Sequence, residues 1–140
     1  MKILLAADGS SFTQKALTFI AEHKSLLGPD EELLVVNVQV PVSGRVTSML
    51  GSAEVAAYHA EEADEVLQPI KAFLDQHAMR HRCFALTGWP VEEIINAAKN
   101  EHVELIVMGN HGQGWIGRAL TGSVAQRVVV DSVIPVLLVK

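Results

Sequence analysis

Along the 140 residues, short apolar runs alternate with longer stretches in which apolar side chains recur every three or four positions. The runs are Ile3 to Ala7, Leu33 to Val40, Arg82 to Leu86, Leu105 to Met108 and Val136 to Val139, several of them β-branched. This alternation predicts βαβ units. Three of the runs are almost continuously apolar rather than alternating, as strands are when helices cover both faces of a parallel sheet. The predicted class is α/β, a doubly wound sandwich.

The intervening stretches carry helix ends. Ser11 and Gln14 have capping-box spacing, after which Phe12, Ala16, Phe19, Ile20 and Leu27 follow helical spacing until Gly28-Pro29-Asp30. Pro90 suits the first turn of another helix, with Glu92 and Glu93 where the dipole favours acids and Ile94, Ile95 and Ala98 on the buried face. Ser123 and Gln126 repeat the capping-box spacing ahead of Val124, Val128 and Val129, so a last helix is expected to begin near Gly122. Between about Glu54 and Met79 a long helix is expected to kink or break at Pro69. Pro41 to Ser52, with Gly44 and Gly51, lacks periodicity and reads as a mobile loop.

Composition narrows the function. A chain of this length, about half apolar, suits one domain spanning residues 1–140. The net charge of −5, with acids scattered along the chain, argues against a nucleic-acid or anionic-membrane surface, so any phosphate site must be local. The apolar N-terminus is interrupted by Asp8 before it reaches signal-peptide length, and no run approaches a membrane span, which points to the cytoplasm. Cys83 has no internal disulfide partner and reads as a core thiol in a buried strand. The histidines His23, His59, His77, His81 and His102 show no metal-ligand spacing.

The densest signal is the stretch from Gly109 to Ser123, five glycines in fifteen residues between a buried strand and a helix. Glycine lets backbone N–H groups approach a ligand, and a helix N-terminus adds unsatisfied donors, which together suit phosphate. Gly112-Gln113-Gly114-Trp115-Ile116-Gly117 spells G-x-G-x-x-G, but it does not follow the first strand and no acid ends the next one. A phosphate loop of the G-K-[S/T] type also fails, because Gly117 precedes Arg118-Ala119 and Gly122 precedes Ser123-Val124. Asp8, between the first strand and a helix that starts near Ser10, suits either a sugar hydroxyl or magnesium ligand, or a helix cap. His111 suits a phosphate contact, an acid or base, or an exposed loop position, and Arg118 a phosphate clamp or a solvated charge.

At wider spacing, Gly109, Gly112 and Gly122-Ser123 form G-x₂-G-x₉-G-[S/T], and in this the chain resembles the ATP-binding universal stress proteins. Ala7-Asp8-Gly9-Ser10, Val36-Asn37-Val38, Gly88-Trp89-Pro90 and Leu105 to Gly109 extend the resemblance over nearly the whole chain, with Asn37 where many members have His and Ala6 where some have Pro. The resemblance implies a three-layer, Rossmann-like α/β/α sandwich with a five-stranded parallel sheet of order 3-2-1-4-5. ATP, with Mg²⁺, would lie between strands 1 and 4. Ala7 and Asp8 would flank the ribose or phosphates, with Asp8 near the metal, and the Val38 backbone would read the adenine edge. Met108, Gly109, His111 and Gly112 would line the ribose and phosphates, and Gly122, Ser123 and Val124 would hold the triphosphate tail.

Two further expectations join these. Strand 5, from Ile134 to Lys140, would be an apolar sheet edge that a homodimer covers, a common arrangement in the resembled family. ATP would act as a regulatory ligand read by a protein partner, by ordering Pro41 to Ser52 and Gln113 to Leu120, with at most slow hydrolysis. The alternative is a nucleotide-free dimeric interaction or chaperone-like stress protein.

Overall fold

The computed structural model describes residues 1–110 and 122–140. Its elements in chain order are β1 (Ile3–Ala6), α1 (Ser11–Glu22), a 3₁₀ turn (Lys24–Leu26), β2 (Leu33–Gln39), α2 (Gly44–Leu50), α3 (Ser52–Gln76), β3 (His81–Thr87), α4 (Pro90–Asn100), β4 (Leu105–Gly109), α5 (Ser123–Asp131) and β5 (Val136–Val139). The five strands are parallel in the order β3-β2-β1-β4-β5. The sheet and its order are those that the glycine-loop resemblance implies.

Helices cover both faces. Ile3, Leu5 and Ala7 pack with Ala16, Leu17 and Ile20 of α1 and with Ala63, Leu67 and Leu74 of α3. Leu4 and Ala6 pack on the other side with Val91, Ile94 and Ala98 of α4 and Val128 of α5. Adjacent residues of β1 and β2 therefore enter different cores, and this double burial is why both read as continuous apolar runs. Each fully buried Leu or Ile contributes roughly 1.5–3 kcal/mol. The edge strands differ: β3 alternates and is only partly buried, and all four residues of β5 are half-buried.

Four local expectations are corrected. Ser10, not Ser11, caps α1, its hydroxyl accepting from the Thr13 N–H at 3.4 Å, and the helix ends at Glu22 before a 3₁₀ turn delivers Leu27 to the core. The segment from Pro41 to Ser52 is not a loop: Ser43 accepts from Val46 N–H at 3.2 Å and starts α2, and Gly51, at φ 88°, turns the chain into α3. Because α2 buries none of its residues, it leaves no apolar periodicity to read. Pro69 does not break α3, which runs 25 residues, because Pro69 lies on the exposed side while Leu67 and Ile70 hold the buried stripe. Cys83 is half-buried on the edge strand β3 rather than sealed in the core.

Candidate functional site

The strand order reverses at β1, whose neighbours are β2 and β4, and ligands in open parallel sheets are held outside the carboxyl ends of the strands at such a point. Ala6 is in register with Val36 on one side and Met108 on the other. Ala7 and Asp8, Val38, and Met108 with Gly109 therefore leave the sheet at one end. The Ala7 N–H donates to the Val36 carbonyl at 2.9 Å, and Asn37 Nδ2 donates to the Ala7 carbonyl at 2.9 Å. Asn37, buried to 2 % exposure, completes its bonding by accepting from Gln39 Nε2 at 2.9 Å. Both backbone groups of Ala7 are thus tied to β2, which fixes where Asp8 begins.

Asp8 joins strand to helix. Its Oδ1 accepts from the Ser10 N–H at 3.0 Å and from the Thr13 hydroxyl at 2.9 Å, and its own N–H donates to Thr13 Oγ1 at 3.1 Å. Gly9 between them sits at φ 80°, a left-handed conformation that glycine adopts without strain. Of the two roles open to Asp8 in the sequence, Oδ1 performs the structural one at the start of α1. Asp8 is half-buried, two residues past the end of β1.

Gly109 has a packing reason to be glycine. A Cβ placed there would lie 2.5 Å from Phe12 Cβ and 2.8 Å from the Phe12 carbonyl carbon, so α1 reaches the end of β4 only across a bare Cα. Beyond it, the Asn110 N–H donates to the Val139 carbonyl at 2.9 Å, and the Gly122 N–H donates to the Asn110 carbonyl at 2.8 Å. This last bond sets the start of α5 directly beside the end of β4. His111 and Gly112, like Gln113 to Leu120, lie outside the described residues.

The start of α5 differs from the other helix starts. Ser10 caps α1 and Ser43 caps α2, while α3 has Glu54 and α4 has Glu92 and Glu93 in the first turn. The α5 helix begins at Gly122 with neither a side-chain cap bond nor an acid in its first turn. Ser123 is therefore not the cap its spacing suggested but the first helical residue, with its side chain exposed. The first N–H groups of a helix have no intrahelical acceptor and carry the positive end of its dipole. Those of Ser123 and Val124 are of this kind, and beside them an open groove of about 320 Å³ runs to α4 along Trp89, Pro90 and Val91.

Sequence reasoning missed Thr13 and Arg127 and named Asn37 only as a departure from the family pattern. Thr13 and Asn37 are polar residues buried to 4 % and 2 % exposure, in an otherwise apolar helix face and strand, and that is the signal that marks them. Arg127, one turn into α5, bridges Glu92 of α4 at 3.3 Å and Asp131 at 3.4 Å and lines the same groove.

Comparison with known proteins agrees with this fold. The model of the universal stress protein family matches residues 1–140. A universal stress protein of Thermus aquaticus is 34% identical over 138 residues, covering 99% of this chain and 97% of its own. The universal stress protein MJ0577 of Methanocaldococcus jannaschii is 31% identical over 152 residues, covering 99% of this chain and 94% of its own. The solved structure of MJ0577 superposes with a TM-score of 0.83 at 30% identity, covering 99% of this chain and 95% of that one. A universal stress protein from Archaeoglobus fulgidus superposes with a TM-score of 0.75 at 24% identity, covering 100% and 98% of the two chains. The chain belongs to the universal stress protein family.

Proposed function

We propose that the chain is a nucleotide-responsive regulatory module of the cytoplasmic stress response, a single domain that binds ATP with Mg²⁺ at the carboxyl ends of β1 and β4. The observation that carries this reading is the start of α5, uncapped and free of acids, tied by the Gly122 N–H to Asn110 at the end of β4. Its donors suit the triphosphate. Among the described residues no three His, Cys, Asp or Glu side chains converge on a metal position, so magnesium fits here as part of a metal–triphosphate with Asp8 beside it. In this reading the Val38 backbone faces the adenine, Ala7, Asp8, Met108 and Gly109 flank the ribose, Gly122, Ser123 and Val124 hold phosphate oxygens, and His111 and Gly112 belong to the same site. Two members of the same fold support the ligand class: one from Archaeoglobus fulgidus was solved with dAMP and another universal stress protein with cAMP.

Hydrolysis would be slow at most. Asp8 Oδ1 is occupied by Ser10 and Thr13, which leaves it poorly placed to orient an attacking water. ATP would then act by changing which surface a regulatory protein partner meets. A homodimer would form along the segment from Ile134 to Lys140, where the half-buried edge strand β5 adjoins Val129, Val130 and Val133, exposed to 46%, 76% and 83%. That apolar patch also favours the second reading, a dimeric interaction module that uses no nucleotide.

Thermal melting of nucleotide-stripped protein with and without Mg-ATP separates the two. At about 100 times the dissociation constant, ATP stabilises a binding protein by roughly 2.7 kcal/mol. An unshifted melt, with no nucleotide released during stripping, overturns the ATP reading and leaves the interaction module.

A further inference from the structure

At the opposite end of the sheet from the nucleotide crevice, α3 and β3 bring together a nucleophile, a base and an acid. Asp75 Oδ1 lies 2.9 Å from His81 Nε2, and His81 Nδ1 lies 3.9 Å from Cys83 Sγ. A carboxylate only accepts, so the hydrogen sits on Nε2 and the Nδ1 lone pair faces the thiol. The imidazole is held between its two neighbours at 16% side-chain exposure, while Asp75 is 73% exposed. This is the arrangement of an activated thiol: a nucleophile, a base within reach, and a third group that orients the base. β3 is the edge of the sheet, so among the described residues no further strand covers Cys83, which is half-buried. An open groove of about 420 Å³, lined by Glu32, Asp75, Ala78, Met79, Arg80 and His81, leads to the imidazole.

We infer that Cys83 is a thiol modification site that forms a mixed disulfide with small-molecule disulfides, with His81 as its base and Asp75 as the residue that positions His81. Burial, against the pull of Lys71 and helped by the Asp75 carboxylate, holds the thiol above its ordinary titration, so Cys83 is protonated at neutral pH and needs a base in order to react. As Sγ attacks one sulfur of the disulfide, its proton passes to His81 Nδ1, the Sγ–S bond forms and the S–S bond breaks. The departing thiolate then takes the proton from the imidazolium. One thiol and one disulfide become one mixed disulfide and one thiol, with no external electron donor. Asp75 stabilises the transient imidazolium, and Lys71 offsets part of the cost of charge on Sγ, while Arg80 of the groove is paired with Glu32 at 3.6 Å.

The test uses the full chain, with glutathione disulfide and a chromogenic aromatic disulfide as probes, and follows both the added mass and the released thiol. The wild type should take up one equivalent in the native state, and Cys83→Ser none. His81→Gln should react about 100-fold more slowly at neutral pH, the usual scale for loss of a general base. It should recover only as the pH climbs past the ordinary thiol value of 9.0. Asp75→Asn, which keeps an acceptor but loses the charge, should lie between them and shift the same pH profile. Rates for His81→Gln within about twofold of wild type, at unchanged melting temperature, overturn the assignment. So does a wild-type rate equal to that of global unfolding. If His81→Gln does not fold, ¹⁵N spectra of the wild-type imidazole decide the matter: a hydrogen on Nδ1 rather than Nε2 overturns the relay, and the reverse supports it.

Discussion

The Asp8 backbone N–H donates to Thr13 Oγ1 at 3.1 Å, and the Thr13 hydroxyl donates back to Asp8 Oδ1 at 2.9 Å. This reciprocal pair anchors the turn between β1 and α1 and holds Asp8 against the start of the helix. Thr13→Val keeps the shape of the side chain but strands both Asp8 groups, so unfolding in urea should show a loss of about 1–3 kcal/mol. Thr13→Ser keeps both bonds and removes one buried methyl, for about 0.8 kcal/mol. An unchanged midpoint for the valine variant would show that the pair contributes nothing.

Gly109→Ala should destabilise the protein in the absence of any nucleotide, because the new methyl lands 2.5 Å from Phe12 Cβ and 2.8 Å from its carbonyl carbon. Backbone cannot move aside as a flexible side chain does, and overpacking of this kind costs about 1–3 kcal/mol. If stability were unchanged and only nucleotide binding suffered, the glycine would be reserved for the ligand rather than for α1.

Ser123→Asp places an acid in the first turn of α5, at an exposed position where none stands now. The helix dipole should reward it with about 0.3–1 kcal/mol in the apo protein. The same charge should repel phosphate and abolish the Mg-ATP shift in melting. A variant that still shifts with ATP would move the triphosphate away from this helix start.

Pro69→Ala restores an N–H inside α3 at an exposed position of an unbroken helix. Proline in a helix interior costs up to about 3 kcal/mol relative to alanine. Thermal unfolding should therefore show a gain of about 1–3 kcal/mol, and a loss would mean that a bend at Pro69 matters for packing.

Burial raises the Cys83 thiol above 9.0, its value in an exposed chain. Below that pH the thiol is protonated whether the chain is folded or unfolded, and its contribution to stability is complete. As pH climbs past 9.0 the unfolded chain ionises first, so stability falls until the folded thiol ionises too. Urea titrations of wild type and Cys83→Ala at a series of alkaline pH values should show the wild type losing stability faster. Parallel curves would refute the shift.

The sequence by itself determined the class of fold and most of its elements. β1, β2 and β4 declare themselves as apolar runs because helices bury both of their faces, and the apolar run Val136 to Val139 is β5, shorter than the Ile134 to Lys140 edge expected for it. The spacing of Gly109, Gly112 and Gly122-Ser123 carries the resemblance to the family. Tertiary structure decided what local pattern does not encode. Ser11 has the capping-box spacing, but the bonds among Asp8, Ser10 and Thr13 make Ser10 the cap. α2 buries no residue and so prints no period, and α3 continues through Pro69 because the proline faces outward. Asn37 reaches Ala7 from thirty positions away, Gly109 is needed because α1 crosses it, and Asp75, His81 and Cys83 meet only once α3 lies against β3. Periodicity records which face of an element is buried, whereas such meetings depend on strand register and helix placement, which the chain fixes only on folding.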